Sequence, residues 1–346
     1  MSKKIKAGIV GVGKIAQTLY LPNLINHPDI KLKAICDIDD VNIDHVTKLY
    51  KINKVYRDYK EMIDKEDLDA VFVCTPNYLH APITIYAASK GLHVMVEKPM
   101  AITMKEAKEM VKTAKKNKVI LMVDQSQRFV PLHQKAKEIM DSGILGKVLS
   151  VRTTFGHAGP ENWSPRGKWF FEKEKAGFGP LADLGVHKVD LVRYLTGLEV
   201  TEVAAFTSRL EKDWATVEDN AAIILKFNNE ALGVVTANWI THGDESNDVI
   251  LYCENGVLKI NVEKNRRLFV ELVKPVVSTL EIEVPPMVTN AQGGWKIPSI
   301  DNFIDAILGR AECLVPGEEG MKSLEIILAA NISAETGKIV KLPLNE

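Results

Sequence analysis

Long apolar runs are missing from this chain. Nowhere in its 346 residues do about 18 apolar side chains follow one another, so no segment reads as a membrane span. An excess of one charge is missing too. With 44 Lys and Arg against 45 Asp and Glu the formal charge is -1, which excludes the basic footprint of a general nucleic-acid or anionic-membrane binder. Cysteine is scarce, and Cys36, Cys74, Cys253 and Cys313 are too scattered for a zinc knuckle or a redox pair; buried, reduced thiols are expected. There is no internal repeat and no low-complexity tract. The opening Met1-Ser2-Lys3-Lys4-Ile5 enters a strand pattern without the apolar core of a signal peptide, and the expectation is a cytoplasmic protein.

What is present is the composition of an ordinary globular protein, 46% hydrophobic and 26% charged, in a chain long enough for two domains. The pattern changes near Asp124, which predicts one domain over 1–124 and another over 125–346. Up to that point short apolar strands alternate with helices, the signature of an α/β doubly wound parallel sheet. Beyond it, strand-like segments follow one another through short links, with Asn228-Asn229 and Asn255-Gly256 as turn signals. This predicts an α+β domain on a large, mostly antiparallel open sheet, closed by helices over about 299–308 and 318–336. Strands such as Ala221 to Phe227 and Leu232 to Ile240 carry apolar or small residues on both faces. Helices cover one face of such a sheet, so a homodimer or homotetramer packed through the other is expected.

The chemistry-bearing residues of the first part all follow strands. Ile5 to Val10 runs into Gly11-Val12-Gly13-Lys14-Ile15-Ala16, a Gly-x-Gly-x-x-Ala turn opening a helix. The first glycine permits a tight turn, the second lets a pyrophosphate approach the backbone, and phosphates sit favourably at a helix N-terminus beside Lys14 and Ile15. The next strand ends at Asp37, 37 - 13 = 24 positions past the second glycine. A carboxylate there can accept both ribose hydroxyls of an adenosine and repels a 2'-phosphate, so NAD is preferred over NADP; capping the next helix is the alternative use of this acidic stretch. Thr75-Pro76-Asn77, with His80 close behind, and Glu97-Lys98-Pro99 close two further strands at the same ligand-binding edge. Lys98 ends an uncharged strand and is the candidate active-site cation, although a lysine after a strand is also a common solvated charge.

In the second part, Asp183 and His187 are spaced i, i+4 after a glycine-rich turn at Gly177-Phe178-Gly179. On one helical face a carboxylate can orient an imidazole and make it a proton acceptor. A helix-capping aspartate with a core histidine fits the same spacing, and so do two ligands of a metal, for which no third and fourth ligand are evident; no metal is expected. The stretch from Phe155 to Phe170 mixes aromatic faces with donors, a combination suited to a sugar or polyol. Within it, Trp163 and Arg166 are candidates for substrate contact or for packing the loop.

Together, Gly11 to Ala16, Thr75-Pro76-Asn77-Tyr78-Leu79-His80, Glu97-Lys98-Pro99, Gln127-Arg128-Phe129 and Asp183-x-Gly185-x-His187-x-x-Asp190 resemble the glucose-fructose oxidoreductase and inositol dehydrogenase (Gfo/Idh/MocA) family over essentially the whole chain. The resemblance implies a Rossmann domain followed by an open sheet, NAD or NADP as cofactor, and Lys98, Asp183 and His187 as the reacting set around a carbohydrate hydroxyl. The sequence departs from the family at Gly177-Phe178-Gly179, followed by Pro180, where members often carry three glycines. The expected activity is oxidation of a secondary hydroxyl of a sugar, polyol or inositol, with Lys98 and His187 as interchangeable candidates for the proton acceptor. Elimination or glycoside cleavage through transient oxidation, and a non-catalytic NAD-binding regulator, are the alternatives.

Overall fold

The computed structural model describes residues 4–261, 267–285, 288 and 296–344, so Met1, Ser2 and Lys3 of the opening stretch lie outside it. The chain divides into two compact units, Met1–Ser126 with Met287–Met321, and Gln127–Pro286 with Lys322–Glu346.

The first unit carries β1 (Ile5–Val10), β2 (Ile30–Cys36), β3 (Val55–Tyr56), β4 (Ala70–Val73), β5 (His93–Val96) and β6 (Leu121–Val123), in the spatial order β3-β2-β1-β4-β5-β6. Every neighbouring pair is parallel. This is the Rossmann arrangement, and its order reverses between β1 and β4, where the connections leave in opposite directions and a crevice opens at the strands' carboxyl ends. The strands β4, β5 and β6 read as nearly continuous Val, Met, Phe and Leu, as a sheet covered on both faces requires; β4 is buried along its whole length. The intervening helices are α1 (Leu21–Asn26), α2 (Asp40–Tyr50), α3 (Tyr59–Lys65), α4 (His80–Ser89) and α5 (Met104–Asn117). Their starts follow from their caps: Asp39 accepts the Val41 and Asn42 N–H groups, and Thr103 with Glu106 forms a reciprocal capping box. The later helix α9 (Pro298–Ile307) belongs to this unit and buries Ile300, Phe303 and Ile304. Phe303 packs edge-on against Phe72 of β4 at 5.5 Å.

The second unit contains α6 (Pro131–Asp141), β7 (Val148–Gly156), the short α7 (Lys173–Ala176), α8 (Val186–Thr196), β8 (Val200–Ser208), β9 (Asn220–Phe227), β10 (Leu232–Asn238), β11 (Ser246–Cys253), β12 (Gly256–Ile260), β13 (Leu268–Leu272) and β14 (Ser278–Ile282). With β15 (Val340–Lys341) they make a nine-stranded sheet in the order β14-β13-β12-β11-β7-β10-β9-β8-β15. The pair β7–β10 is parallel and the others are antiparallel, so the expected mostly antiparallel sheet is what forms. The hairpin after β11 turns through Glu254-Asn255 rather than Asn255-Gly256, because Gly256 already pairs with Cys253.

One sheet face is covered by Val189 and Val192 of α8 and by Ile326, Ile327 and Ala330 of the long helix α10 (Gly317–Thr336), packed on Val203, Ile223, Leu225, Val235 and Leu251. Full burial of each such aliphatic side chain stabilises by about 1.5–3 kcal/mol. The opposite face stays open, with Phe206 79%, Ile224 50% and Val234 44% exposed, and Ile224 directly opposite Val234. Among the described residues no helix is long and apolar enough to cross a membrane.

Candidate active site

The turn after β1 is built around backbone proximity. Gly11 has φ +85°, and a Cβ there would meet the Cys74 carbonyl oxygen at 2.5 Å, so only glycine lets β1 turn beside the end of β4. A Cβ on Gly13 would meet nothing within 4 Å, leaving open space over the backbone where the helix of Lys14 and Ile15 begins. Asp37 is fixed at this turn: Oδ2 accepts the Val12 N–H at 2.7 Å and Oδ1 the Asp39 N–H at 2.9 Å. Capping of α2 falls to Asp39, so Asp37 is held against the nucleotide turn instead.

After β4, the buried hydroxyl of Thr75 makes no hydrogen bond among the described residues. Pro76 leads into the short turn Asn77–Leu79, where Asn77 is buried. His80 is fully buried with Nε2 2.7 Å from the Thr75 carbonyl and Nδ1 2.8 Å from the Pro99 carbonyl, joining the loops after β4 and β5. Burial pushes this imidazole down to about 4, against the pull of the two carbonyls and with help from the Lys98 charge, so the neutral ring donates to one carbonyl only. An open cradle at Gly13, an oriented carboxylate at Asp37 and a hydroxyl with spare capacity at Thr75 fit a dinucleotide whose phosphates lie at a helix start. Lys98, half-buried, follows in a cis Lys98–Pro99 peptide, and its N–H donates to Glu97 Oε2 at 3.2 Å. Glu97 turns its other oxygen inward, 2.9 Å from the Tyr20 hydroxyl.

In the second unit, Gly179 lies so close to the residues leading into β9 that a Cβ would be 1.9 Å from the Glu218 carbonyl oxygen. The Glu218 carboxylate accepts the Leu181 N–H at 3.1 Å, and Phe178, where the family often has glycine, is buried in the core. The chain then makes a wide π-type turn over Leu181–Gly185 before α8, in place of the regular helix that the spacing predicts. Asp183, buried in that turn, accepts the Trp239 Nε1–H at 3.1 Å and lies 3.6 Å from His157 Nε2. His157 Nδ1 accepts the Gly159 N–H at 2.9 Å, which places the proton of the neutral ring on Nε2, toward Asp183. The Phe155 ring is 6.3 Å from the His157 ring and 6.1 Å from that of His187, which is buried on α8. One carboxylate, two imidazoles and two aromatic faces therefore gather around the ends of β7 and β10, a setting that can orient a hydroxyl and receive its proton.

His157 and Trp239 are the members that sequence reasoning missed. His157 stood in view within the aromatic loop, whereas Trp239 read only as one more apolar residue of the strand expected over Leu232 to Ile240. Trp163 packs edge-on against Phe170 at 5.3 Å, and Arg166 is exposed. The motif residues Arg128 and Asp190 form a buried two-pronged ion pair at 2.7 and 2.8 Å, to which Ser323 adds a bond at 2.9 Å; they anchor α8 and with it His187. All four cysteines are free, and no group of three metal-ligating side chains is found among the described residues.

Comparison with known proteins bears on this geometry. Residues 5–125 match the model of an oxidoreductase family with an NAD-binding Rossmann fold, and residues 133–259 that of the GFO/IDH/MocA C-terminal domain. The chain is 32% identical over 238 residues to the uncharacterized oxidoreductase YrbE of Bacillus subtilis, covering 68% of this chain and 67% of that one. It is 27% identical to the myo-inositol 2-dehydrogenase of Thermotoga maritima, over 98% of both chains. A levoglucosan dehydrogenase solved with NADH and levoglucosan superposes with a TM-score of 0.87 at 26% identity, over 99% of this chain and 100% of that one. With a Rossmann unit whose turn, acid and strand ends fit a dinucleotide, and a second unit carrying an Asp–His constellation on a large open sheet, the chain belongs to the NAD-binding Gfo/Idh/MocA oxidoreductase family.

Proposed function

We propose that this chain oxidises a secondary hydroxyl of a sugar, polyol or inositol, with NAD preferred over NADP. The observation that carries the reading is Asp183, held by Trp239 and facing His157 beside His187, which brings aromatic faces together with proton-handling groups. The names of two relatives point the same way, since myo-inositol and levoglucosan are both polyhydroxylated rings. Bound NAD supplies the hydride acceptor. His187 takes the proton of the hydroxyl, and Asp183 favours the imidazolium that results. Lys98 donates to the same oxygen and opposes its developing negative charge, as an oxyanion hole does. Mixing the protein and NAD with inositols, aldoses, sugar acids and nucleotide-sugars tests this: NADH absorbance should accumulate with at least one class. Tight NAD binding without NADH from any of them would refute the reading.

Asp37, already oriented by Val12 and Asp39, is assigned to the adenosine ribose, with Gly11, Gly13, Lys14, Ile15, Thr75, Pro76 and Asn77 around the rest of the cofactor. Asp37→Ala should weaken NAD by roughly tenfold or more and narrow the gap to NADP, since a two-bond carboxylate contact contributes about 1.4 kcal/mol or more. Unaltered preference in a binding titration would remove Asp37 from the ribose site.

The open face of the second unit's sheet is assigned to self-association as a homodimer or homotetramer, because Phe206, Ile224 and Val234 leave an apolar patch uncovered. Sedimentation at micromolar concentration should give a dimer or larger, and Ile224→Lys with Val234→Lys should give a smaller species. A wild-type monomer would count against the assignment. Free thiols throughout and the absence of a membrane-crossing helix among the described residues are in keeping with a cytoplasmic setting.

A further inference from the structure

Three polar side chains from separate stretches of the first unit meet at the end of β5, where Glu97 also accepts the Lys98 N–H. The Tyr20 hydroxyl lies 2.6 Å from Asp124 Oδ2 and 2.9 Å from Glu97 Oε1, with Tyr20 1% and Asp124 4% exposed. Tyr20 comes from the helix after the nucleotide turn, while Glu97 and Asp124 close β5 and β6. A phenol owns one proton and can donate it to one carboxylate only. Were both carboxylates ionised, the second would press its lone pairs on the phenol oxygen, and two like charges would share a buried site. One further proton removes both conflicts: the phenol donates to one carboxyl, and the other carboxyl donates to the phenol oxygen.

The surroundings favour that state. Burial and then the Asp124 charge push Glu97 up to about 7, against the attraction of Lys98 and the bonds from Tyr20 and the Lys98 N–H. Burial raises Asp124 as well, although the Tyr20 hydroxyl, the neighbouring Ser299 hydroxyl of α9 and the Lys98 charge oppose it. Cys74 faces the cluster as a thiol pushed far up by burial and by both carboxyls, and His80, neutral, faces Lys98 from the other loop. Lys98 is thus the cation that acts on both carboxyls.

We infer that Tyr20, Glu97 and Asp124 share a single carboxyl proton, so that the buried cluster whose Glu97 accepts the Lys98 N–H carries one negative charge, not two. They are positioning residues, and the inference rests on the reading of Lys98 as the group that opposes charge on the substrate oxygen. The consequence is non-additive. Neutralising either carboxyl leaves the other ionised, so one negative charge remains; neutralising both removes it.

The experiment reads the shared proton directly. In infrared spectra of the NAD-saturated enzyme near pH 6, the wild type should show a protonated carboxyl band that Glu97→Gln and Asp124→Asn each lose, because the remaining carboxyl is then ionised and accepts the Tyr20 hydroxyl. A wild type without the band, or a folded single variant that keeps it, would overturn the inference. Full turnover in Lys98→Met would instead remove the role of Lys98 on the substrate and leave the band standing.

Discussion

Lys98→Met is expected to lower kcat by roughly a hundredfold or more while NAD affinity changes little, because loss of one preorganised donor to a developing oxyanion typically costs two to three orders of magnitude. Methionine keeps the length and apolar stem of lysine, so the loop that His80 ties through the Pro99 carbonyl retains its packing and only the ammonium is lost. His187→Ala should have a comparable effect by removing the proton acceptor, for which general-base loss costs about a hundred- to ten-thousandfold. Steady-state kinetics beside a fluorescence titration of NADH separate the two quantities. Unchanged turnover in either variant on an authentic substrate would withdraw that residue from the chemistry.

The second large effect is on stability. Arg128→Met should leave the Asp190 carboxylate, 1% exposed, with only Ser323 of its present two-sided support. Removing one partner of a buried pair costs about 3–5 kcal/mol, which corresponds to a melting temperature lower by about 10 °C for a unit of this size. Because Asp190 sits one turn beyond His187, turnover should fall with it even below the melting range. Asp190→Leu added to Arg128→Met should recover part of the stability, since it removes the stranded charge. Thermal unfolding of the single and double variants checks both points, and a melting temperature within a degree of wild type would show that the pair contributes nothing.

The parts of the site that could be read in sequence are those whose position in the fold is local. Gly11, Asp37, Thr75 and Lys98 each follow a strand, and in a doubly wound sheet the end of a strand is itself an address. Asp183 and His187 could be paired by spacing alone, although the turn that carries them is π-type, a geometry that spacing does not distinguish from a regular helix. The remaining members depend on contacts across long stretches of chain. Tyr20 reads as a core aromatic of a helix and Asp124 as an acid after a strand; only folding brings them 104 positions together. Trp239 and His157 reach Asp183 through the register of β10 against β7, and that parallel pairing inside an otherwise antiparallel sheet has no local signature.

The fold shows the same division. Alternation of strands and helices identifies the Rossmann part, because each parallel strand must be a short apolar run between amphipathic helices. Strand β15 is two residues long and carries no periodicity at all. Helix α9 shows an ordinary apolar stripe at Ile300, Phe303 and Ile304, and nothing in that stripe says that it packs beside Phe72 in the first unit.

The central claim is that hydrogen leaves a carbinol carbon of the substrate for the nicotinamide. With the best substrate from the NADH screen carrying deuterium at that carbon, mass spectrometry of the reduced cofactor measures it directly. NADH one mass unit heavier from the wild type, and little or none from Lys98→Met, is the expected result. Unlabelled NADH, or label lost to water while the substrate is consumed, would contradict it.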